Sequence, residues 1–174
     1  QSADFYTNFI RFDGEGAVYL GRVPGLIGDT GYFPVTVNGD GSVSASILSG
    51  VLQNWAFAAD YVLTDNGLEL VEQDFYTDER YKTADKEALM DLSAYDAPDD
   101  GAGRQVIKAG SAFSLYGEGG SWDAGEGAHG AWALAEDASG AQYYLKVREL
   151  SEIEDASGAW VEASDAISGL SLHG

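Results

Sequence analysis

The residues best suited to catalysis are one histidine and two acids in a glycine-rich stretch. His129 follows Asp123 and Glu126 within a run that contains many glycines. A serine hydrolase needs a histidine base oriented by a carboxylate, and some place the nucleophile on a sharp Gly-x-Ser-x-Gly turn. The chain has no such motif. We therefore interpret His129 as a solvent-exposed loop histidine and predict no catalytic residue.

Carboxylate pairs are the other groups that could carry a reaction. Glycoside hydrolysis uses one carboxylic acid as proton donor and a second carboxylate as nucleophile or base. The chain holds 29 Asp and Glu residues, so acidic pairs are always available. The sequence shows no insertion that would build a cleft around such a pair. A carbohydrate-active enzyme fragment, or an accessory sugar-binding domain, is therefore the alternative hypothesis for the function.

One acidic segment has the beginning of a calcium-binding pattern. Residues 38–42 are Asn-Gly-Asp-Gly-Ser, but an EF-hand loop also needs a bidentate glutamate at its twelfth position, where this chain has Ser49. A tight turn is the better interpretation. Asp96, Asp99 and Asp100 form another acidic group, and the sequence leaves open whether such loops bind calcium weakly. We predict no specific metal site and no cofactor.

The composition excludes several kinds of partner and site. The 29 acidic residues against 9 basic residues give a formal net charge of −20, which repels nucleic acids and anionic membrane surfaces. The chain has no cysteine, which excludes disulfide scaffolds, zinc ribbons and thiol catalysis. Its apolar stretches are far shorter than the roughly 20 residues of a membrane-spanning helix, so we expect no membrane insertion.

The unbalanced charge also predicts how stability responds to solution conditions. Repulsion among carboxylates raises the free energy of the compact state more than that of the expanded chain. We therefore expect salt to stabilise the fold by screening this repulsion. We also expect mild acid to stabilise it, because protonation would remove part of the negative charge.

Turn residues separate short apolar segments along most of the chain, which is typical of an all-β protein. Two hairpins are the clearest cases. The first lies within residues 33–47 and turns at Asn38-Gly39, a dipeptide that favours the positive φ angles of hairpin turns. The second lies within residues 55–75 and turns at residues 65–67. We predict an N-terminal β-meander built from these hairpins.

The segment between Tyr76 and Met90 is charged and has few large apolar side chains. This composition favours a linker or an exposed extended segment. We therefore predict a boundary near Ala84. It divides the chain into a β-meander domain at residues 1–84 and a second domain at residues 85–174.

The C-terminal half carries several short motifs in a recognisable order. They are Ala-Tyr-Asp-Ala-Pro at 94–98, Ile-Lys-Ala-Gly-Ser-Ala-Phe at 107–113, the strand with Trp132, and Gly-Ala-Trp-Val-Glu-Ala-Ser-Asp at 158–165. This order resembles the bacterial Src-homology-3-like domains of exported and cell-wall proteins, over about residues 89–170. The resemblance implies a small, open Src-homology-3-like barrel that binds rather than catalyses.

The resemblance also implies a kind of ligand. In such domains the ligand is often a peptide or a cell-wall fragment, held by aromatic side chains from the loops. In this chain the corresponding aromatic residues are Tyr95, Tyr116, Trp122 and Trp160. Trp160 lies in a strand pattern, and burial in the core is the competing interpretation for it.

Together these observations predict a non-enzymatic, exported bacterial protein that is extracellular or lies at the cell surface. Its C-terminal half is predicted to be a binding module or a spacer, with a peptide, a cell-wall fragment or a glycan as the ligand. A purely structural unit of a surface protein is a further alternative. The sequence leaves the identity of the ligand and the oligomeric state open.

Overall fold

The described part of the chain folds mainly into β-strands, which confirms the predicted all-β class. The computed structural model describes residues 5–28, 33–52, 55–121, 124 and 130–170. The chain forms two compact units. The first comprises Gln1–Leu48 and Ala56–Gln73, and the second comprises Ser49–Trp55 and Asp74–Gly174.

Seven strands build the first unit within its described residues. They are β1 (Tyr6–Phe12), β2 (Ala17–Pro24), β3 (Leu26–Ile27), β4 (Pro34–Val37), β5 (Ser42–Leu48), β6 (Ala56–Thr64) and β7 (Gly67–Leu70). β1 and β2 form an antiparallel ribbon of their own, and the other strands form a sheet in the order β3-β4-β5-β6-β7. β3 runs parallel to β4, and the later neighbours are antiparallel.

Both predicted hairpins are present in this sheet. The first consists of β4 and β5 and the second of β6 and β7, and β5 also pairs with β6. The four strands therefore form the predicted meander. Alternate side chains along a strand face opposite sides of the sheet, so one set can be buried. The hydrophobic cluster at the centre of this unit consists of Val23, Val35, Val43 and Ala45.

Ten strands build the second unit within its described residues. They are β8 (Phe75–Thr77), β9 (Lys86–Ala88), β10 (Leu92–Tyr95), β11 (Arg104–Ile107), β12 (Ala112–Gly119), β13 (Gly130–Asp137), β14 (Gln142–Arg148), β15 (Glu152–Glu154), β16 (Trp160–Glu162) and β17 (Ile167–Ser168). A 3-10 helix spans Glu79–Tyr81, and the one-turn helix α1 spans Ala163–Ala166. The main order is β11-β10-β14-β13-β12-β9-β17, with β8 on β12, β15 on β14 and β16 on β15. This sheet curls into a half-barrel.

Small side chains on the central strand allow the half-barrel to pack. The inward residues of β13 are Ala131, Ala133 and Ala135, and all three are buried in the core. Larger buried side chains come from the flanking strands, such as Leu115 of β12 and Leu145 of β14. A concave face has little room at its middle, so small residues there and larger ones beside them fill the interior without voids.

Two hairpin turns of this unit share the same five residues, Asp-Ala-Ser-Gly-Ala, at 137–141 and 155–159. In each turn the aspartate Oδ1 accepts hydrogen bonds from the serine amide, the serine hydroxyl and the amide of the second alanine. The glycines, Gly140 and Gly158, have φ angles of 85° and 89°, a left-handed conformation that glycine adopts without strain. The same local chemistry therefore produces the same turn twice.

The charged segment between Tyr76 and Met90 is part of the second unit's sheet and is not a linker. β8 and β9 both pair with β12, and β9 lies between β12 and β17. Residues 74–84 belong to the second unit, and so do residues 49–55. The compact units therefore differ from the predicted division at Ala84.

Several charges of this segment are paired with groups next to them in the chain. The Asp78 carboxylate accepts hydrogen bonds from the backbone amide of Arg80 and from its guanidinium, which fixes the start of the 3-10 helix. Lys86 pairs with Asp85. The charged side chains are thus paired, while the backbone of β8 and β9 forms hydrogen bonds with β12. Composition alone does not reveal this pairing.

Candidate functional site

The structure places the predicted ligand-binding aromatic residues in strands rather than in loops. Tyr95 lies in β10, Tyr116 in β12 and Trp160 in β16. Tyr95 is 6% exposed and Tyr116 is 1% exposed, whereas Trp160 is half-buried. Trp122 lies outside the described residues. The expectation that Tyr95 and Tyr116 offer open ring faces from loops is therefore corrected.

Tyr95 is held in a packed aromatic cluster. Its ring meets Trp132 edge to face, with 5.3 Å between the ring centroids. The ammonium group of Lys146 lies 5.1 Å from the Tyr95 ring centre and 5.6 Å from that of Trp132, and it also pairs with Asp100 at 2.7 Å. Burial raises the pKa of Tyr95 to about 12, and a hydrogen bond to Glu154 adds to this effect. The hydroxyl therefore stays protonated and acts as a donor.

Glu154 connects Tyr95 with Trp160. The Tyr95 hydroxyl donates to Glu154 Oε2 at 2.7 Å, and Arg104 pairs with the same carboxylate at 3.3 Å. Trp160 is the cross-strand partner of Glu154 in the β15–β16 register. The Arg148 guanidinium lies 4.7 Å from the centre of the Trp160 ring. Two of the predicted residues thus meet around one carboxylate that the sequence analysis did not single out.

Tyr116 has a different set of partners. The ammonium group of Lys82 lies 4.5 Å from its ring centre and pairs with Glu136 at 3.1 Å. The Tyr116 hydroxyl accepts a hydrogen bond from the side-chain amide of Gln142 at 2.7 Å. The Tyr116 ring is therefore held by a cation at its face and by hydrogen bonds of its hydroxyl with Gln142 and Glu136.

Basic side chains of the protein itself lie against these three aromatic rings. Lys146, Lys82 and Arg148 each sit within 6 Å of a ring centre, the range in which a cation is attracted by the ring face. A ligand that stacks on the same faces would have to displace them. These contacts stabilise the packing around the three rings.

The half-barrel is open between β11 and β12, which follow each other in the chain. β11 pairs with β10 and β12 pairs with β13, but the described residues show no pairing of β11 with β12. A cavity of about 150 Å³ opens in this gap. Its apolar part is formed by Ala94, Ile107 and Phe113, all of which are buried.

Asp137 and Tyr143 belong to the polar lining of this cavity, together with Gln105, Lys108 and Ser111. The Tyr143 hydroxyl donates to Asp137 Oδ2 at 2.9 Å. Hydrogen bonds from the Ser139 side chain, from Tyr143 and from a backbone amide lower the pKa of Asp137 to about 2. The carboxylate is therefore ionised at neutral pH, and its pKa is far from the range that suits a general acid or base near pH 7.

The register of β11 shows which of its backbone groups face the gap. The Asp96 amide donates to the Gly103 carbonyl, so that every second pair along β10 and β11 is hydrogen-bonded. Arg104 and Val106 belong to the intervening pairs, and their amides and carbonyls point away from β10. Among the described strands none pairs with that side of β11. The gap thus combines an open strand edge with an apolar cavity.

Comparison of the chain with protein-family models, with curated proteins and with solved structures finds no match. The resemblance to Src-homology-3-like domains therefore remains a prediction. Within the described residues, no three His, Cys, Asp or Glu side chains converge in a way that could hold a metal ion. The helices in that part of the chain are too short to cross a membrane.

The sequence analysis missed the cavity because a short turn normally joins paired strands. Residues 107–113 contain the glycine turn that links β11 to β12, and such a turn is typical of a hairpin. Only the sheet order shows that the two strands separate after the turn. The sequence does contain one hint of the cation–π contacts. Lys146 and Arg148 alternate with the apolar residues of β14, so both side chains lie on the same face of that strand.

Proposed function

We propose that this protein is a non-enzymatic binding module of an exported bacterial protein, and that it binds a peptide in extended conformation along β11. The observation that supports this most directly is the open edge of β11 beside an apolar cavity. The resemblance of residues 89–170 to exported and cell-wall domains supports the location. The peptide part of a cell-wall fragment is a ligand of the same chemistry.

Strand addition explains how the edge and the cavity would act together. The outward amides and carbonyls of Arg104 and Val106 provide the donors and acceptors that an added strand needs. Alternate side chains of that strand would face the cavity. A volume of about 150 Å³ is well below the 300–1,000 Å³ of typical small-molecule sites, so it suits one apolar side chain of the peptide.

The charge of the protein favours a basic peptide. The formal net charge is −20, and electrostatic attraction accelerates the encounter with a ligand of opposite sign. The cavity lining holds both Asp137 and Lys108, and Lys108 pairs with Asp91 at 2.8 Å, so the attraction for a basic peptide rests on the overall charge. The charged groups at the cavity form ion pairs and hydrogen bonds, and the pKa of Asp137 is low, which supports binding rather than catalysis.

The proposal can be tested with an array of ten-residue peptides, each with one central leucine or valine between lysines. We expect the best peptide to shift the NMR signals of the Arg104 and Val106 amides. Val106→Pro removes an outward donor at an edge position where proline is tolerated, and it should weaken binding about tenfold or more. Ala112→Trp should do the same by filling the cavity mouth.

Val106→Thr is the matched control, because it changes the exposed side chain and keeps the backbone donor. It should bind the peptide like the unchanged protein. If Val106→Pro binds as tightly as Val106→Thr, strand addition is the wrong mode. If no peptide of the array binds, the second unit is better explained as a spacer.

A further inference from the structure

The ribbon of β1 and β2 has one face against the core and one face in solvent. Phe9 and Val23 contact the core of the first unit. The opposite face carries eight side chains, and we call six of them, all except Ala17 and Pro24, the ribbon face. They are Tyr6, Asn8, Ile10, Phe12, Tyr19 and Arg22, and every one of them is exposed. The aromatic members Tyr6, Phe12 and Tyr19 are 39%, 78% and 59% exposed.

A β-bulge brings these side chains together. The register shifts between Phe9 and Ile10, so that Ile10 is opposite Tyr19 while Asn8 is opposite Arg22. The extra residue places Tyr19 and Arg22 on one face although they are three positions apart. Without the bulge, strict alternation would put them on opposite faces of the ribbon.

Contacts between side chains hold two of the three aromatic rings, Tyr6 and Tyr19. The Arg22 guanidinium lies 4.3 Å from the centre of the Tyr6 ring. The Tyr19 hydroxyl donates to the Asn8 side-chain oxygen at 3.4 Å. The Arg22 guanidinium lies over the Tyr6 ring, so Tyr19 and Phe12 are the rings most open to a ligand. All three rings lie on a strip about 20 Å long at roughly 3.4 Å per residue between Tyr6 and Phe12, with amide, guanidinium and hydroxyl groups between them.

We propose that the ribbon face binds a neutral polysaccharide chain, at a site separate from the peptide edge proposed above. Sugar rings present apolar C–H faces that stack on aromatic rings and hydroxyl groups that need hydrogen-bond partners. The ribbon face offers both kinds of group in alternation. Exposed aromatic side chains of this number on one face of a small unit mark an interaction site.

Size and charge argue against the other occupants. A stable protein interface takes about 20–30 residues on each side, far more than the six of the ribbon face. The first unit contains nine acidic residues and two basic ones, Arg11 and Arg22, so an anionic membrane would repel it. A second copy of the chain, with its own net charge of −20, would be repelled as well.

Native gel electrophoresis tests this directly, because the acidic protein migrates rapidly. Hydroxyethylcellulose, laminarin and glycol chitin are each cast into the gel as probes. We expect at least one of them to retard the protein and the double variant Phe12→Ala/Tyr19→Ala to lose the retardation. Val37→Ala is the matched control, since Val37 is 54% exposed in β4 and lies outside the ribbon face. It should be retarded like the unchanged protein.

Unchanged circular-dichroism melting of the double variant would show that it folds. No retardation by any of the three polysaccharides, or equal retardation of the double variant, overturns the proposal. It is also overturned if the double variant instead loses flotation with phosphatidylcholine–phosphatidylglycerol vesicles, or loses dimers seen by light scattering. Val106→Pro should keep the retardation, which separates this proposal from the peptide site.

Discussion

At the scale of single residues, Gly67 shows how one side chain can be forbidden by its surroundings. It follows the β6–β7 turn with a φ of 124°, and a Cβ at this position would collide with the Leu20 carbonyl oxygen. We expect Gly67→Val to lower the free energy of unfolding by about 1–3 kcal/mol through backbone strain. Urea unfolding measures the change.

Gly16→Ala is the control for this prediction. Gly16 has no positive φ angle, and a Cβ there would meet no atom within 4 Å. This variant should unfold at the same urea concentration as the unchanged protein. Equal stability of Gly67→Val and Gly16→Ala would contradict the argument.

At the scale of elements, the two identical turns allow a matched comparison. Asp137 and Asp155 accept the same three hydrogen bonds within their turns, but Asp137 also accepts one from Tyr143. Both Asp137→Ala and Asp155→Ala should lower the melting temperature, because amides and hydroxyls lose their acceptor. Asp137→Ala should lower it more. A larger effect at Asp155 would show that the Tyr143 bond contributes nothing to stability.

The pKa values of the turn aspartates change the expected effect of mild acid on stability. Hydrogen bonds or ion pairs lower the pKa of several carboxyl groups below their ordinary values. They include Asp13, Asp40, Asp91, Glu136, Asp137 and Asp155. As the pH falls, the unfolded chain therefore takes up these protons before the folded chain does. Mild acid is then expected to weaken the fold, whereas net charge alone predicted that it would strengthen it.

At the scale of the whole molecule, this gives a pH prediction with a defined window. The stabilisation from these carboxylates is complete above about pH 5, since the ordinary pKa of Asp is 3.8 and that of Glu is 4.5. It should be lost progressively as the pH falls toward about 2, the pKa of Asp137. Melting temperatures between pH 7 and pH 2 test this. A melting temperature that rises between pH 5 and pH 3 would restore the repulsion argument.

Added salt is expected to stabilise the fold, whereas acid is expected to weaken it. The 29 acidic residues far outnumber the 9 basic ones, and the repulsion among carboxylates is screened as salt is added. Raising sodium chloride from about 0.01 M to 0.15 M shortens the Debye length from about 30 Å to 8 Å. The melting temperature should rise over this range. A calcium chloride series at matched ionic strength provides the control, and a rise with calcium alone would indicate a metal site instead.

The sequence by itself determined the features that depend on neighbours along the chain. Turn residues and alternation predicted the all-β class and the two hairpins, since the side-chain period selects the buried face and glycines supply the positive φ angles of the turns. The first turn lies one residue later than the predicted Asn38-Gly39, with Gly39 and Gly41 at positive φ. The net charge and the lack of cysteine are also properties of the sequence alone.

Only the tertiary structure decided which strands become neighbours and what each aromatic ring touches. An apolar alternation along a strand predicts that one face is buried, but it does not predict which element packs against that face. Tyr95 and Tyr116 are therefore core residues with cations of their own, and β11 and β12 separate after a turn that is typical of a hairpin. The bulge in β2 likewise places the side chains of the ribbon face together, through a register shift that the local sequence pattern does not predict. Strand partnership depends on residues far apart in the chain, and for that reason the candidate sites emerge only in the folded protein.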